Sequence, residues 1–211
     1  MTAKHAVLCA VVLLGACAIG KPMPSATTYV IDPPAATELP VATRRPETLR
    51  MGHVRIAATF AGNALVYRLN DVQYVSDPYN AFIAEPGAML GNRIAEWLDR
   101  AGPFATVAQP DSARPAAFVL EATVTELYGD FRPGHHPAAV LTVQFALIDQ
   151  TGTRAKIEHE CTIVRRVEVA QASPDALVRG YGTALAEILA QLAPELGLDN
   201  GSARASIEPH R

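Results

Sequence analysis

Residues 118–127 read FVLEATVTEL, residues 138–149 read AAVLTVQFALID and residues 153–169 read TRAKIEHECTIVRRVEV, and these segments decide the fold. Apolar side chains recur mostly at every second position, which is the period of a β-strand with one buried face. The predicted buried face carries Phe118, Leu120, Ala122 and Val124, then Leu141, Val143, Phe145 and Leu147, then Ile157, Cys161, Ile163 and Val167. Residues 149–152 (DQTG) supply a turn. We therefore predict three long β-strands.

The first predicted helix is Glu85–Ala101, with Pro86 in its first turn, where a proline is tolerated. Its apolar side chains recur at the i, i+4, i+7 spacing of one helical face. That face carries Leu90, Ile94, Trp97, Leu98 and Ala101. Gly102 and Pro103 are expected to end the helix.

The second predicted helix is Ser173–Leu192, which opens with a serine in the N-cap position. Its apolar face carries Leu177, Tyr181, Ala184, Leu185, Ile188 and Leu192. Gly180 and Gly182 lower the helix propensity, so we expect the helix to approach the sheet closely there. Pro194 and Gly197 are expected to end the element.

Shorter strands are predicted around the first helix, at Thr27–Ile31, Val54–Ala58, Leu65–Leu69, Gln73–Val75 and Phe104–Val107. The order strands, helix, strands, helix predicts a single α/β domain, a mixed β-sheet with two main helices packed on it. We assign residues 28–198 to this domain and residues 199–211 to a polar tail. Lys21–Pro46 is rich in Pro, Ala and Thr and is expected to act as an arm between membrane and domain.

The N-terminus has the organisation of an export signal. A short basic region, Lys4 and His5, precedes the uncharged residues 6–14, a run too short for a membrane span, which needs about 20 residues. The sequence Leu14-Gly15-Ala16-Cys17 resembles the bacterial lipobox. We predict a signal peptide at residues 1–16, lipid attachment at Cys17 and a flexible linker at residues 17–27. The alternatives are an ordinary signal peptide that is cut further on, or a buried first helix.

The lipid chains on Cys17 would anchor the protein stably in a membrane, because three acyl chains exceed the two signals that stable anchoring needs. Asp after the lipidated cysteine retains enterobacterial lipoproteins in the inner membrane, and here Ala18 follows it, which favours the outer membrane with the domain facing the periplasm. Cys9 would leave with the signal peptide. Cys161 then has no partner for a disulfide, so we expect it to be buried.

Composition and motifs exclude several functions. The chain has 211 residues, of which 49% are hydrophobic, a net charge of −3 and no basic stripe, so a nucleic-acid partner is not expected. It has no Gly-x-Ser-x-Gly nucleophile motif and no Walker A motif, so we predict no catalytic residues and no cofactor, and any ATP hydrolysis would belong to a partner. His135 and His136 read as a solvated loop and His159 as a satisfied core or edge histidine, so no metal site is predicted.

Four residues are candidates for contact with a partner. Tyr79 and Phe82 belong to a group of aromatic residues near the first helix, and aromatic residues are enriched in interfaces. Phe131 and Arg132 lie at the tip of the loop between two long strands. The alternative for the first pair is the core, and for the second pair an ordinary hairpin turn.

The stretch around the first helix contains sequence motifs that indicate a family more specifically than its apolar periodicity does. It contains LVYRL at residues 65–69, DPYN at 77–80, Pro86, WL at 97–98 and GPF at 102–104. In these motifs and in element order, the chain resembles the ABC-type transport auxiliary lipoprotein family, which includes paraquat-inducible protein C, over Tyr29–Leu192. Many relatives have tryptophan near the helix entrance, where this chain has Phe82 and Ile83.

The resemblance implies a non-enzymatic lipoprotein that works with an ABC permease, its ATPase and an MCE-domain protein. Such systems move lipids or other hydrophobic molecules between the inner and outer membranes, and the lipoprotein would anchor and dock the assembly at the outer membrane. At least some relatives form rings, so a homo-oligomer is expected. The alternatives are an envelope assembly lipoprotein, as in secretion or lipopolysaccharide export, and, less favoured, a periplasmic hydrolase.

Overall fold

The computed structural model describes residues 26–36 and 44–197. These residues form eight strands, which are β1 (Thr27–Tyr29), β2 (Arg45–Ile56), β3 (Ala64–Arg68), β4 (Tyr74–Phe82), β5 (Phe104–Ala108), β6 (Phe118–Asp130), β7 (Ala138–Asp149) and β8 (Lys156–Glu168). Two α-helices, α1 (Pro86–Ala101) and α2 (Pro174–Gly197), and a 3-10 turn at Ala58–Phe60 complete the fold. The predicted mixed α/β domain with two helices on one sheet is confirmed.

Strand β6 is the centre of the sheet. One of its sides pairs antiparallel with β7 over nearly its whole length, and β7 pairs antiparallel with β8. The other side pairs in parallel with β2 from Phe118 to Val124, and with β3 only at Gly129 and Asp130. The sheet therefore divides along β6, with β2 and β5 on one branch and β3, β4 and β1 on the other.

Both helices pack on this sheet with their predicted apolar faces. Helix α1 lies against β2 and β5, α2 lies against β7 and β8, and the two helices touch each other. The predicted α2 face is fully buried, with Leu177, Tyr181, Ala184, Leu185, Ile188 and Leu192 in the core. Each large apolar side chain of this kind stabilises the folded state by roughly 1.5–3 kcal/mol.

The two glycines of α2 mark close approaches. A Cβ at Gly180 would lie 2.7 Å from Cβ of Ala139 on β7, so the predicted approach to the sheet is confirmed there. A Cβ at Gly182 would instead lie 2.5 Å from the backbone oxygen of Asp32. Gly182 therefore makes room for the N-terminal segment rather than for the sheet.

Three predicted boundaries are wrong. Strand β2 begins at Arg45 instead of Val54, and Ile31, which the prediction placed in a strand of the domain, is fully buried, so Lys21–Pro46 is not only an arm. Helix α2 continues through Pro194 to Gly197, since its last turn buries Leu196. Strand β4 runs on to Phe82, because Pro78 lies where no neighbouring strand needs its backbone N–H.

A β-bulge corrects the predicted face of β8. Its register against β7 shifts between Leu147, which lies opposite His159, and Ile148, which lies opposite Ile157. One extra residue reverses the side of every residue beyond it. Ile157 is consequently 57% exposed instead of buried, whereas Cys161 and Ile163 keep their predicted side.

Several predictions concern residues outside the described part of the chain. They are the signal peptide at residues 1–16, lipid attachment at Cys17, nearly all of the linker at residues 17–27 and the tail at residues 199–211. Within residues 26–36 and 44–197, neither helix combines the length and the apolar character needed to cross a membrane.

Candidate functional site

The predicted partner contacts lie where β3, β4 and the end of β6 meet. Tyr67 and Arg68 of β3 pair with Gly129 and Asp130 of β6, and the backbone N–H of Phe131 donates to the carbonyl of Arg68 at 2.9 Å. This pairing brings the DPYN motif of β4 next to the loop that follows β6. Two segments more than 40 residues apart in sequence thus form one end of the sheet.

Asp77 organises the DPYN motif. Its Oδ1 accepts the backbone N–H groups of Tyr79 at 2.8 Å and Asn80 at 3.0 Å, as in an Asx turn. Its Oδ2 accepts the hydroxyl of Tyr67 at 2.6 Å and the side-chain amide of Asn80 at 2.8 Å. Burial alone would raise the pKa of the Asp77 carboxyl, but these four hydrogen bonds outweigh burial and lower it. Asp77 therefore remains ionised and holds Tyr79 in place.

Tyr79 is the most accessible of the predicted contacts. Its side chain is 47% exposed, and the hairpin before it also exposes Val72, Tyr74 and Val75. Strand β4 pairs with β3 on one side, while β1 covers its other side only at residues 80–82. We call Val72, Tyr74, Val75 and Tyr79 the β4 edge surface. Within the described residues, these exposed apolar side chains lie along a strand edge that has no partner before residue 80, and such an edge is suited to binding another protein.

Phe82, by contrast, is a core residue. It is only 3% exposed and its ring lies 6.3 Å from that of Tyr181 in α2. The cause is its position in β4, where the strand pairs with β1 at Tyr29 and faces the helix. In this fold the core alternative is therefore correct for Phe82, which offers no surface to a partner.

Phe131 is half-buried against Tyr67. The two rings stack with their centroids 5.1 Å apart. Gly129 leaves room for this stack, because a Cβ there would lie 2.9 Å from Leu177 and 3.2 Å from the ring of Phe131. Phe131 remains partly exposed and lies at the same end of the sheet as the β4 edge surface.

Arg132 is held by two carboxylates. Its guanidinium contacts Asp130 at 2.9 Å and Asp71 at 2.8 Å, and Arg166 contacts Asp130 at 2.7 Å from the other side. Asp130 is 2% exposed, and its hydrogen bonds to Arg132 lower its pKa to about 2. Arg132 therefore joins the hairpin to the sheet end, a role that its sequence position alone did not reveal. His135 and His136 are exposed in the same loop, as predicted.

A second cluster lies between β8 and α2. Nε2 of His159 is 3.0 Å from a carboxylate oxygen of Glu195, so His159 has the hydrogen-bond partner expected of it. Cys161 lies beside them, half-buried, and burial followed by the charge of Glu195 raises the pKa of its thiol to about 11. The sequence did not point to Glu195, because it is 36 residues from His159.

Two solved structures share the fold of this chain. Protein XCC0632 from Xanthomonas campestris shares the fold at a TM-score of 0.70 and 16% identity, covering 86% of this chain and 100% of that one. A solved structure of an uncharacterized protein has a TM-score of 0.63 and 21% identity, covering 82% of this chain and 99% of its own. These likenesses show the fold alone.

The sequence itself is informative at the family level. No curated protein shows significant similarity to the chain. The model of the family described as the ABC-type transport auxiliary lipoprotein component matches residues 29–193. This match covers most of the chain and nearly the whole described domain, including the DPYN motif, helix α1 and all of α2 except its last four residues. The chain therefore belongs to the ABC-type transport auxiliary lipoprotein family.

Proposed function

We propose that this protein is the lipid-anchored periplasmic component of an ABC transport system with an MCE-domain protein, moving lipids or other hydrophobic molecules between the two membranes. Its role is to anchor and dock, and it catalyses no reaction. The observation that carries the proposal is the β4 edge surface, an exposed apolar strand edge in a member of an auxiliary lipoprotein family. Tyr79 is its central contact.

The distance from anchor to domain supports a docking role. Cys17 is the proposed lipid attachment point, and the described domain begins its first strand at Thr27. A chain of this length spans at most about 35 Å even when fully extended. The domain therefore stays close to the membrane surface that holds the lipid, which we propose is the outer membrane.

The alternative function is a hydrolase, and the cluster of His159, Cys161 and Glu195 contains a cysteine that could be its nucleophile. A nucleophilic cysteine needs a lowered thiol pKa, usually from a neighbouring positive charge. Burial and the carboxylate of Glu195 raise the pKa of Cys161 to about 11 instead. The environment of this thiol thus argues against a hydrolase that uses Cys161 as its nucleophile.

The proposal is tested by site-specific photo-crosslinking in intact envelopes. A photoreactive amino acid replaces Tyr79, and a matched control places it at Asp111, whose side chain is 91% exposed beyond the opposite end of β6. We expect the Tyr79 probe to capture the MCE-domain protein or the permease, identified by mass spectrometry, and the Asp111 probe to capture neither. Capture of secretion or lipopolysaccharide-export components instead would establish the assembly alternative and overturn the proposal.

The membrane assignment needs a separate experiment. Density-gradient separation of the two membranes is expected to place the protein with outer-membrane markers. Cys17→Ser removes the proposed lipid attachment and is expected to release the protein from that fraction. Recovery of the unchanged protein with inner-membrane markers would contradict the proposed location, while leaving the docking role to the crosslinking experiment.

A further inference from the structure

The contact between β8 and the last turn of α2 brings together three side chains that bind metals in proteins. His159 and Cys161 are two residues apart on β8, so both side chains lie on the face that packs against α2. Glu195 comes from the last turn of α2. One ligand atom from each of the three residues, an imidazole nitrogen, a sulfur and a carboxylate oxygen, lies within 4.8 Å of the other two.

We propose that His159, Cys161 and Glu195 form a binding site for a divalent cation of borderline softness, with Zn²⁺ as the preferred ion. Zinc sites use cysteine sulfur, histidine nitrogen and carboxylate oxygen, whereas Mg²⁺ and Ca²⁺ require oxygen ligands almost exclusively. Three protein ligands leave the fourth tetrahedral position to a water molecule or another small ligand. The site does not depend on which transport partner the protein has.

The distances require only a small adjustment. With zinc bonds of about 2.0–2.3 Å, tetrahedral ligand atoms lie about 3.3–3.8 Å apart. His159 and Glu195 are already 3.0 Å apart, in a hydrogen bond that a cation would replace. The largest separation in the cluster is within 4.8 Å, so it closes by about 1 Å of side-chain movement. Side chains exposed by 26% at His159 and 30% at Glu195 give an ion access from solvent.

The surrounding groups fit a cation as well. The side-chain amide of Gln191 donates to the second carboxylate oxygen of Glu195 at 3.4 Å and so helps to orient this ligand. The nearby Arg165 is already paired, with Gln191 at 2.6 Å and Glu187 at 3.4 Å. Coordination replaces the S–H bond of Cys161 by an S–metal bond and releases one proton to water. The thiolate and the carboxylate together then balance the two positive charges of the ion.

The site is tested by equilibrium dialysis of the full chain, purified in detergent, against ZnCl₂ alone. We expect the parent chain to bind one Zn²⁺. We expect Cys161→Ser, His159→Gln and Glu195→Gln each to bind Zn²⁺ with an affinity lower by about 10-fold or more. The matched control is His53→Gln, which removes a histidine whose side chain is 80% exposed and lies outside the cluster. Because each variant is compared with the parent chain, zinc binding at residues that all of them share, such as the other histidines, cancels. Equal binding by the parent and all three variants overturns the proposal.

A second measurement uses the unchanged chain and so does not rely on the folding of variants. Alkylation of Cys161 by iodoacetamide is followed by peptide mass spectrometry with and without Zn²⁺. We expect Zn²⁺ to slow modification of this thiol about 10-fold or more, because a metal-bound sulfur is not free to react. Co²⁺ in place of Zn²⁺ is expected to produce a sulfur-to-cobalt charge-transfer band. An unchanged alkylation rate at saturating Zn²⁺ and no such band would refute coordination by Cys161.

Discussion

The hydroxyl of Tyr67 on β3 donates a 2.6 Å hydrogen bond to Oδ2 of Asp77 on β4, and this bond ties the core of the sheet to its exposed edge. Through Oδ1, the same carboxylate fixes the backbone of Tyr79, the proposed contact residue. Burial, followed by its hydrogen bond to Asp77, raises the pKa of the Tyr67 phenol, so the hydroxyl stays protonated and donates this hydrogen bond at neutral pH. Substitution of Asp77 should therefore alter the position of Tyr79 on the β4 edge surface.

Substitution of Asp77 by alanine is expected to cost about 1–3 kcal/mol of unfolding free energy, because it leaves the donors from Tyr67, Tyr79 and Asn80 without their acceptor. Tyr67→Phe removes one hydrogen bond and is expected to cost about 0.5–1.5 kcal/mol. Urea denaturation of both single variants and the double variant measures the coupling. Strictly additive costs would show that the two side chains do not act together.

The free energy of unfolding is expected to fall at acid pH because Asp130 becomes protonated. Its hydrogen bonds to Arg132 lower its folded-state pKa from 3.8 to about 2, so the folded state binds protons less readily than the unfolded state. This contribution is fully present above about pH 5 and is lost as the pH falls through 4 towards 2. Chemical denaturation of the protein and of Asp130→Asn at several pH values checks this.

The Asp130→Asn variant is expected to be less stable near pH 7 by about 1–3 kcal/mol, since Arg132 and Arg166 lose their buried carboxylate. The difference between the two proteins should shrink as the pH falls from 4 to 2. Asp149, whose pKa is also about 2, is present in both proteins and does not contribute to the difference. A difference that is independent of pH would contradict the ion-pair account.

Gly182→Ala is expected to destabilise the domain, because its Cβ would lie 2.5 Å from the backbone oxygen of Asp32. Backbone cannot move aside as easily as the end of a side chain, so we expect a loss of about 1–3 kcal/mol. Gly62→Ala is the matched control, since a Cβ there would meet nothing within 4 Å. Thermal denaturation compares the two variants, and an unchanged Tm in Gly182→Ala would show that residues 26–36 do not hold this position.

Substitutions at Tyr79 and Phe82 are expected to have different effects, the first on partner binding and the second on stability. Tyr79→Ala should change the unfolding free energy by no more than about 0.5 kcal/mol but weaken capture of the transport partner. Phe82→Ala should cost about 3–5 kcal/mol, because it opens a cavity in the core beside Tyr181. Denaturation and affinity capture on the same preparations check both. Full capture by a folded Tyr79→Ala protein would remove Tyr79 from the proposed interface.

The long strands and both helices could be predicted because apolar residues recur with one period along most of each element. In β7, every second residue from Leu141 to Leu147 is buried, and the predicted face of α2 is buried throughout. The spacing of apolar residues along an element indicates which of its faces is buried. It failed at Ile157, where a bulge adds one residue to β8, and at β4, where the predicted strand stopped at Val75 although the strand continues through Pro78 to Phe82.

The candidate site was predicted less completely than the fold. The sequence indicated Tyr79 as a contact, and its exposure is consistent with this, but Phe82, three residues later, faces the core. The role of Arg132 depends on Asp71 and Arg166, which lie on other elements. Such partners meet only when strands that are distant in sequence pair with one another.

The sequence by itself determined the family, the two amphipathic helices and the buried faces of the long strands, because these depend on neighbours along the chain. Only the tertiary structure decided that Ile31 joins the core and that Asp130 is buried between two arginines. It also brought Glu195 to His159 and Cys161, across a helix–strand contact that no local period encodes. The physical reason is that side-chain chemistry at a site depends on distances through space, which sequence spacing reports only within a single helix or strand.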